Sequence, residues 1–234
     1  SMNDNLDYEA YLFISSKKFI ISVNSESNKK IYEENLIFEN EINNININQL
    51  DFFLEQNIFK IEKKLKNFLN EITIIYDLDN FIPVEISVKK NIYENIVDLN
   101  NLSHILYEAK DYCKKTIEGK RIAHMIINNY RFGDKNYSLF PKGLECNSFC
   151  LDIKFICLPI KIIRNFEKIL KRYQVSLSQV ICANYVDSFL SDNDRDIFMM
   201  TKKIINGHNP NEVLLIDKSP KKQGFFEKFF NFFN

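Results

Sequence analysis

Glycine is scarce in this chain. There are five, Gly119, Gly133, Gly143, Gly207 and Gly224, and no two lie near each other. A loop of clustered glycines that brings backbone N–H groups up to a phosphate cannot be drawn from them. Histidine is scarcer: His104, His124 and His208 are scattered and have no acid or nucleophile beside them in sequence. Ser138 has no His nearby, and Cys146 and Cys150, four apart, have none either, so no catalytic, cofactor or metal residue is assigned. No apolar run approaches about 18 residues, so nothing is expected to span a bilayer. The polar, acidic start from Asn3 to Glu9 does not read as a signal peptide, and Ser1 ahead of Met2 reads as a remnant of recombinant expression. Neither sign of charge is in excess, with 31 Lys and Arg against 31 Asp and Glu, which argues against a general nucleic-acid binder. Five cysteines is an odd number. Cys113, Cys150, Cys157 and Cys182 sit in apolar patterns and read as reduced core-filling residues of a cytoplasmic protein.

What the chain has in plenty is phenylalanine at one end. Gly224–Asn234 reads GFFEKFFNFFN. On a helix, Phe225, Phe226, Phe229, Phe230, Phe232 and Phe233 fall within an arc of about 160°. Glu227, Lys228, Asn231 and Asn234 take the other side. Lys218, Pro220, Lys221, Lys222 and Gly224 form a spacer ahead of it. Aromatic residues on one face with lysines beside them suit the interface of an anionic bilayer. Phe225, Phe226, Phe229, Phe230, Phe232 and Phe233, with Lys221 and Lys222, are therefore the candidate membrane-binding residues. The alternatives are that the Phe face packs in a partner's groove or on the protein's own body.

The remaining residues, 45 % apolar over the whole chain, are enough for a core. Tyr11–Ile14 and Phe19–Val23, joined by Ser15-Ser16-Lys17-Lys18, read as a hairpin, with Ile31–Phe38 as a third strand. A helix is expected over Asn48–Asn70, capped by Asn48, with Leu50, Leu54, Ile58, Ile61, Leu65 and Phe68 inward. Glu71–Tyr76 reads as a buried strand, and Ile82–Val88 as an edge strand of the same sheet because of Pro83. Asp77 and Asp79 read as turn residues at a strand end. Asp98 caps a helix to Ile117 whose inner face would include Leu102, Ile105, Leu106, Ala109, Tyr112 and Cys113. Arg121–Asn128 is a strand, Tyr130–Asn147 a turn-rich connection, Phe149–Leu158 a strand and Ile160–Tyr173 a helix. Val180–Ala183, a strand, precedes helices at Tyr185–Leu190 and at Asp196–Asn206, the last ended by Gly207.

The stretch from Ile122 to Asp194 resembles the FtsA family of bacterial cell-division proteins, actin-like membrane tethers. The resemblance runs through Ile127-Asn128-Asn129-Tyr130, Phe140-Pro141-Lys142-Gly143-Leu144, Leu151–Cys157, the helix Ile160–Tyr173 and Val175–Leu190. Asn128 stands where the family has Pro, Phe140 where it has Asn, and Tyr173-Gln174-Val175 where it has Ala-Gly-Leu. The family's first hairpin carries an acidic residue and a Gly and holds nucleotide phosphates; Phe13 and Ser15 stand there instead. The resemblance implies an α/β fold that is half of an actin-like (RNase H-like) fold, sheet plus helices, with a small inserted α+β domain. It implies too that the second lobe with its adenosine site is missing. It implies a sheet domain from residues 2–92 and 176–206, an inserted interaction domain over 93–175, a linker over 207–223 and a membrane helix over 224–234. The function implied is a non-catalytic membrane-associated adaptor in cell division, peripheral on the cytoplasmic face of the inner membrane. Its expected partners are the lipid surface, divisome or FtsA-like proteins and copies of itself, with no cofactor and no nucleic acid. The alternative is an interaction module of another actin-like membrane system such as pilus assembly (PilM-like).

Overall fold

The computed structural model describes residues 7–91 and 98–215. The chain divides into two units, one from residues up to Asn80 with Ile160–Lys202, the other from Phe81–Pro159 with the chain from Lys203 on. In chain order the elements run β1 (Tyr8–Ser15), β2 (Lys18–Ser25), β3 (Lys30–Ile37), α1 (Ile47–Leu65), β4 (Glu71–Asp77), β5 (Ile82–Asn91) and α2 (Leu99–Thr116). There follow β6 (Lys120–Phe132), β7 (Lys135–Tyr137), β8 (Ser148–Pro159), α3 (Ile160–Lys171), β9 (Ser176–Cys182), α4 (Ala183–Asp187), α5 (Ile197–Ile205) and β10 (Glu212–Val213).

The first unit is a five-stranded sheet in the order β3-β2-β1-β4-β9. β1, β2 and β3 form an antiparallel meander, and β4 runs parallel to both β1 and β9. β1 and β4 are buried on both faces, which is why they read as unbroken apolar runs. The pairing Ile14↔Phe19 and Ile14↔Tyr76 puts these three side chains on one face. There Phe19 meets Phe53 of α1 at 5.7 Å between ring centroids, and Tyr76 meets Phe166 of α3 at 5.8 Å. The opposite face carries Tyr11, whose ring lies 6.0 Å from Phe198 of α5. The buried Asn57 of α1 is satisfied: it accepts from Tyr32 Oη at 2.5 Å and donates to Phe53 O at 2.7 Å.

The second unit is a sheet in the order β10-β6-β8-β5 with α2 on one face. Leu102, Ile105, Leu106 and Cys113 of α2 are buried with Met125, Leu151, Ile153 and Phe155 of the strands. Asp98 caps α2 as expected, with its side chain on Asn101 N and the Asn101 side chain returning to its own N–H.

Several expectations are corrected. β5 pairs with β8 from Ile82↔Cys157 to Asn91↔Ser148, so it joins the second sheet. α1 is capped by Asn46, not Asn48, because the Asn46 side chain accepts Gln49 N; Lys66 in the left-handed region ends it, which turns Phe68 out to solvent and Leu69 in. Tyr112 is exposed rather than on the inner face of α2. Part of the expected linker is built into the second sheet: β10 pairs Glu212↔Ile126 and Val213↔Met125. Gly133, at φ +60°, makes the turn between β6 and β7 inside what read as an irregular connection.

Phe155→Ala removes a fully buried ring and is expected to cost about 3–5 kcal/mol. Phe59→Ala, at a side chain 72 % exposed, should stay within about 0.5 kcal/mol. Urea unfolding followed by near-UV circular dichroism separates the two.

Candidate functional site

In an open α/β sheet, ligands sit outside the carboxyl ends of the parallel strands. In the first unit that end is formed by Ser15, Asp77 and Cys182, aligned by the registers Ser15↔Asp77 and Tyr76↔Cys182. Ser15 is buried and opens the β1–β2 turn. Its Oγ accepts from Lys17 N at 3.2 Å and Lys18 N at 3.1 Å, and donates to Lys18 O at 3.2 Å. The carbonyls of the turn are also engaged, Lys17 O by Phe38 N and Ser16 O by Ile42 N, both at 2.9 Å. A turn whose amides point at its own serine offers them to no phosphate. Phe13, where the resemblance places an acidic residue, is buried in the sheet. Lys17 pairs with Glu41 at 3.6 Å, both side chains well exposed, a contact worth little.

Beside this turn the charges are acidic. Burial lifts the Asp77 carboxyl above the usual range, and the neighbouring Asp79 adds to it. Burial also lifts Asp187, at the end of α4, with the Asp77 charge second. Tyr76 Oη donates to Asn80 Oδ1 at 2.5 Å, and burial pushes its phenol up to about 12. Asp77 and Asp79 thus do lie at a strand end. Among the described residues, no group of three or more His, Cys, Asp and Glu side chains is arranged to hold a metal ion.

The second unit has its polar centre on the sheet. Cys150, Asp152 and Lys154 alternate with the buried Phe149, Leu151, Ile153 and Phe155, so they face away from α2. Asp152 accepts from Ser87 at 2.6 Å, Arg131 at 2.9 Å and Asn129 at 3.4 Å. Burial opposes its ionised form, but those hydrogen bonds and the Arg131 charge outweigh it and hold the carboxyl below the usual range. Arg131 also reaches Cys150 Sγ at 3.1 Å. Cys146 donates to Ser148 O at 3.2 Å. All five cysteines are free thiols, and burial pushes Cys157 up to about 12, with its neighbour Cys113 second. Two groups escaped the sequence reading. One is the buried pair His124 and Glu212, 3.4 Å apart, which joins β6 to β10. The other is the set of cations on α3 opposite its apolar stripe, whose signal is the three- and four-residue spacing of Lys161, Arg164 and Lys168. The candidate membrane residues Lys221, Lys222, Phe225, Phe226, Phe229, Phe230, Phe232 and Phe233 lie outside the described residues, as does the spacer. No described helix is long and apolar enough to cross a membrane.

The chain matches no protein-family model and no curated protein. Solved structures do match. The PilM-PilN type IV pilus biogenesis complex aligns at TM-score 0.43 and 11 % identity, over 76 % of this chain and 48 % of that one. The cytoplasmic domain of EpsL, an inner membrane component of the type II secretion system of Vibrio cholerae, aligns at TM-score 0.36 and 12 % identity, over 77 % and 57 %. A Bacteroides thetaiotaomicron protein with actin-like ATPase fold and unknown function aligns at TM-score 0.31 and 13 % identity, over 81 % and 59 %. The chain thus spans about half the length of each of these.

Asp77 gives a pH test. Its folded-state pKa is raised, so the folded protein holds that proton more tightly than the unfolded chain. The penalty of the charged form is therefore fully present at neutral pH and fades as the pH falls into the carboxylate range. Asp77→Asn should raise the melting temperature at neutral pH, and its advantage over the parent should shrink in acid.

Proposed function

We propose that this protein is a non-catalytic, membrane-associated adaptor of the FtsA type, acting in cell division and recruiting partner proteins at the cytoplasmic face of the membrane. The observation that carries the non-catalytic part is the β1–β2 turn. Its amides from Lys17 and Lys18 are spent on Ser15 Oγ, where an actin-like ATPase needs them for phosphate. The acidic groups beside it, Asp77 and Asp187, repel a polyanion further. The membrane part rests on the Phe face of Gly224–Asn234, and the division role on the sequence resemblance.

Two measurements test this. Calorimetry with Mg-ATP should give no heat of stoichiometric binding; sub-millimolar affinity would overturn the reading. The second concerns the tail. Six Phe would each contribute up to about 1.5–3 kcal/mol if fully buried, but interfacial insertion buries each ring in part, and ordering so short a helix costs free energy. Lys218, Lys221 and Lys222 add roughly 1 kcal/mol each near an anionic surface. The parent should therefore sediment reversibly with anionic liposomes. Phe226→Glu with Phe230→Glu should return it to the supernatant with the melting temperature unchanged. Sedimentation equal to the parent's, or a melting temperature several degrees lower, would remove the tail as the anchor.

A further inference from the structure

The outer face of α3 is cationic. Lys161, Arg164 and Lys168 fall within an arc of about 60° on the helix, Arg172 follows just past its end, and all four are exposed. The buried stripe of Ile163, Phe166, Ile169 and Leu170 lies opposite. Arg172 is engaged by Asp51 at 2.5 Å. Lys161, Arg164 and Lys168 have no ion pair among the described residues. In a chain of zero net charge this is a local excess of one sign.

Beside it is an exposed aromatic ridge. Phe52 and Phe59 of α1 are seven residues apart, hence on one face of that helix, and are 59 % and 72 % exposed. Glu55 lies between them on that face, Lys63 follows on the same ridge and Lys60 flanks it, all exposed. α1 and α3 cover the same side of the first sheet, since Phe53 and Phe166 meet Phe19 and Tyr76 there. Their ends are tied together: Asp51, next to Phe52, is bonded to Arg172 and accepts from Tyr173 Oη at 2.7 Å. One surface thus combines unpaired cations with large apolar side chains held out in solvent.

We infer that the α1–α3 surface of the first unit is a membrane-binding surface for anionic phospholipid. Cations on a helix layer are attracted to phosphate headgroups, and exposed Phe rings insert at the headgroup boundary. The inference builds on the membrane association proposed above but not on the tail. It means that the body itself lies against the bilayer, with α1 and α3 facing it.

The test is co-sedimentation of the full chain with vesicles rich in phosphatidylserine, with phosphatidylcholine vesicles as reference. The variant Lys161→Glu/Arg164→Glu/Lys168→Glu should bind at least ~10-fold more weakly, with an unchanged thermal melt. Phe52→Ser/Phe59→Ser should weaken binding as well, and it serves if the charge variant does not fold. The tail variant Phe226→Glu/Phe230→Glu is run beside them. Loss in both surface and tail variants supports both contacts. Loss in the surface variants with the tail variant binding like the parent supports this surface and removes the tail. Loss in the tail variant alone overturns the inference and leaves the tail standing, and no loss in any variant overturns both. Equal binding of the parent to phosphatidylcholine overturns it too. So does a charge variant that loses affinity for a single-stranded oligonucleotide but not for vesicles.

Discussion

Strand β4 lies between β1 and β9 and runs parallel to both. A parallel neighbour is reached only by a crossover, never by a tight hairpin. Two crossovers therefore organise the chain. The one from β1 to β4 carries β2, β3 and α1, and the one from β4 to β9 carries β5, α2, β6, β7 and β8 before α3. Because β4 is covered on both faces, every side chain from Ile72 to Tyr76 is buried. The helices that cover it must be amphipathic, and their outer faces are free to carry charge.

The same alignment brings Ser15, Asp77 and Asp187 to one end of the first sheet. That end has the place of a ligand site in an α/β sheet, yet its turn is closed by its own hydroxyl, and the carboxylates of Asp77 and Asp187 beside it share the sign of a phosphate. The second sheet solves its burial differently. α2 covers one face, and the other bears a hydrogen-bonded polar network around Asp152, whose partners come from β5, β6 and β8. The chain leading out towards residue 216 is held to that sheet by β10. Ile127 N donates to Asn211 O, and Tyr130 Oη to Asn211 Oδ1.

Local pattern carried much of this. The alternation in Phe149–Leu158, the 3.6-residue stripes of α1 and α3, the Asp98 cap and the paired runs of the first hairpin each depend on residues close together in the chain. The α/β class, sheet plus helices, followed from them. The candidate site was legible only in part. Ser15 and Asp77 read as turn and strand-end residues, but that they stand side by side depends on β1–β4 register, which neither segment encodes alone.

Strand pairing depends on contacts between distant segments. Ile82–Val88 has no feature that selects β4 over β8 as a neighbour, and the choice is made by contacts such as Val84↔Phe155, far apart in sequence. Glu212–Val213 is too short to show a period, and it becomes a strand only because the β6 edge accepts it. Asp152 is locally just one acidic residue in an alternating strand, since its three donors lie on other segments. Which faces are apolar is already set by spacing along one element. Which faces meet is settled by hydrogen bonds and packing between elements, and there one register satisfies residues that no local window contains together.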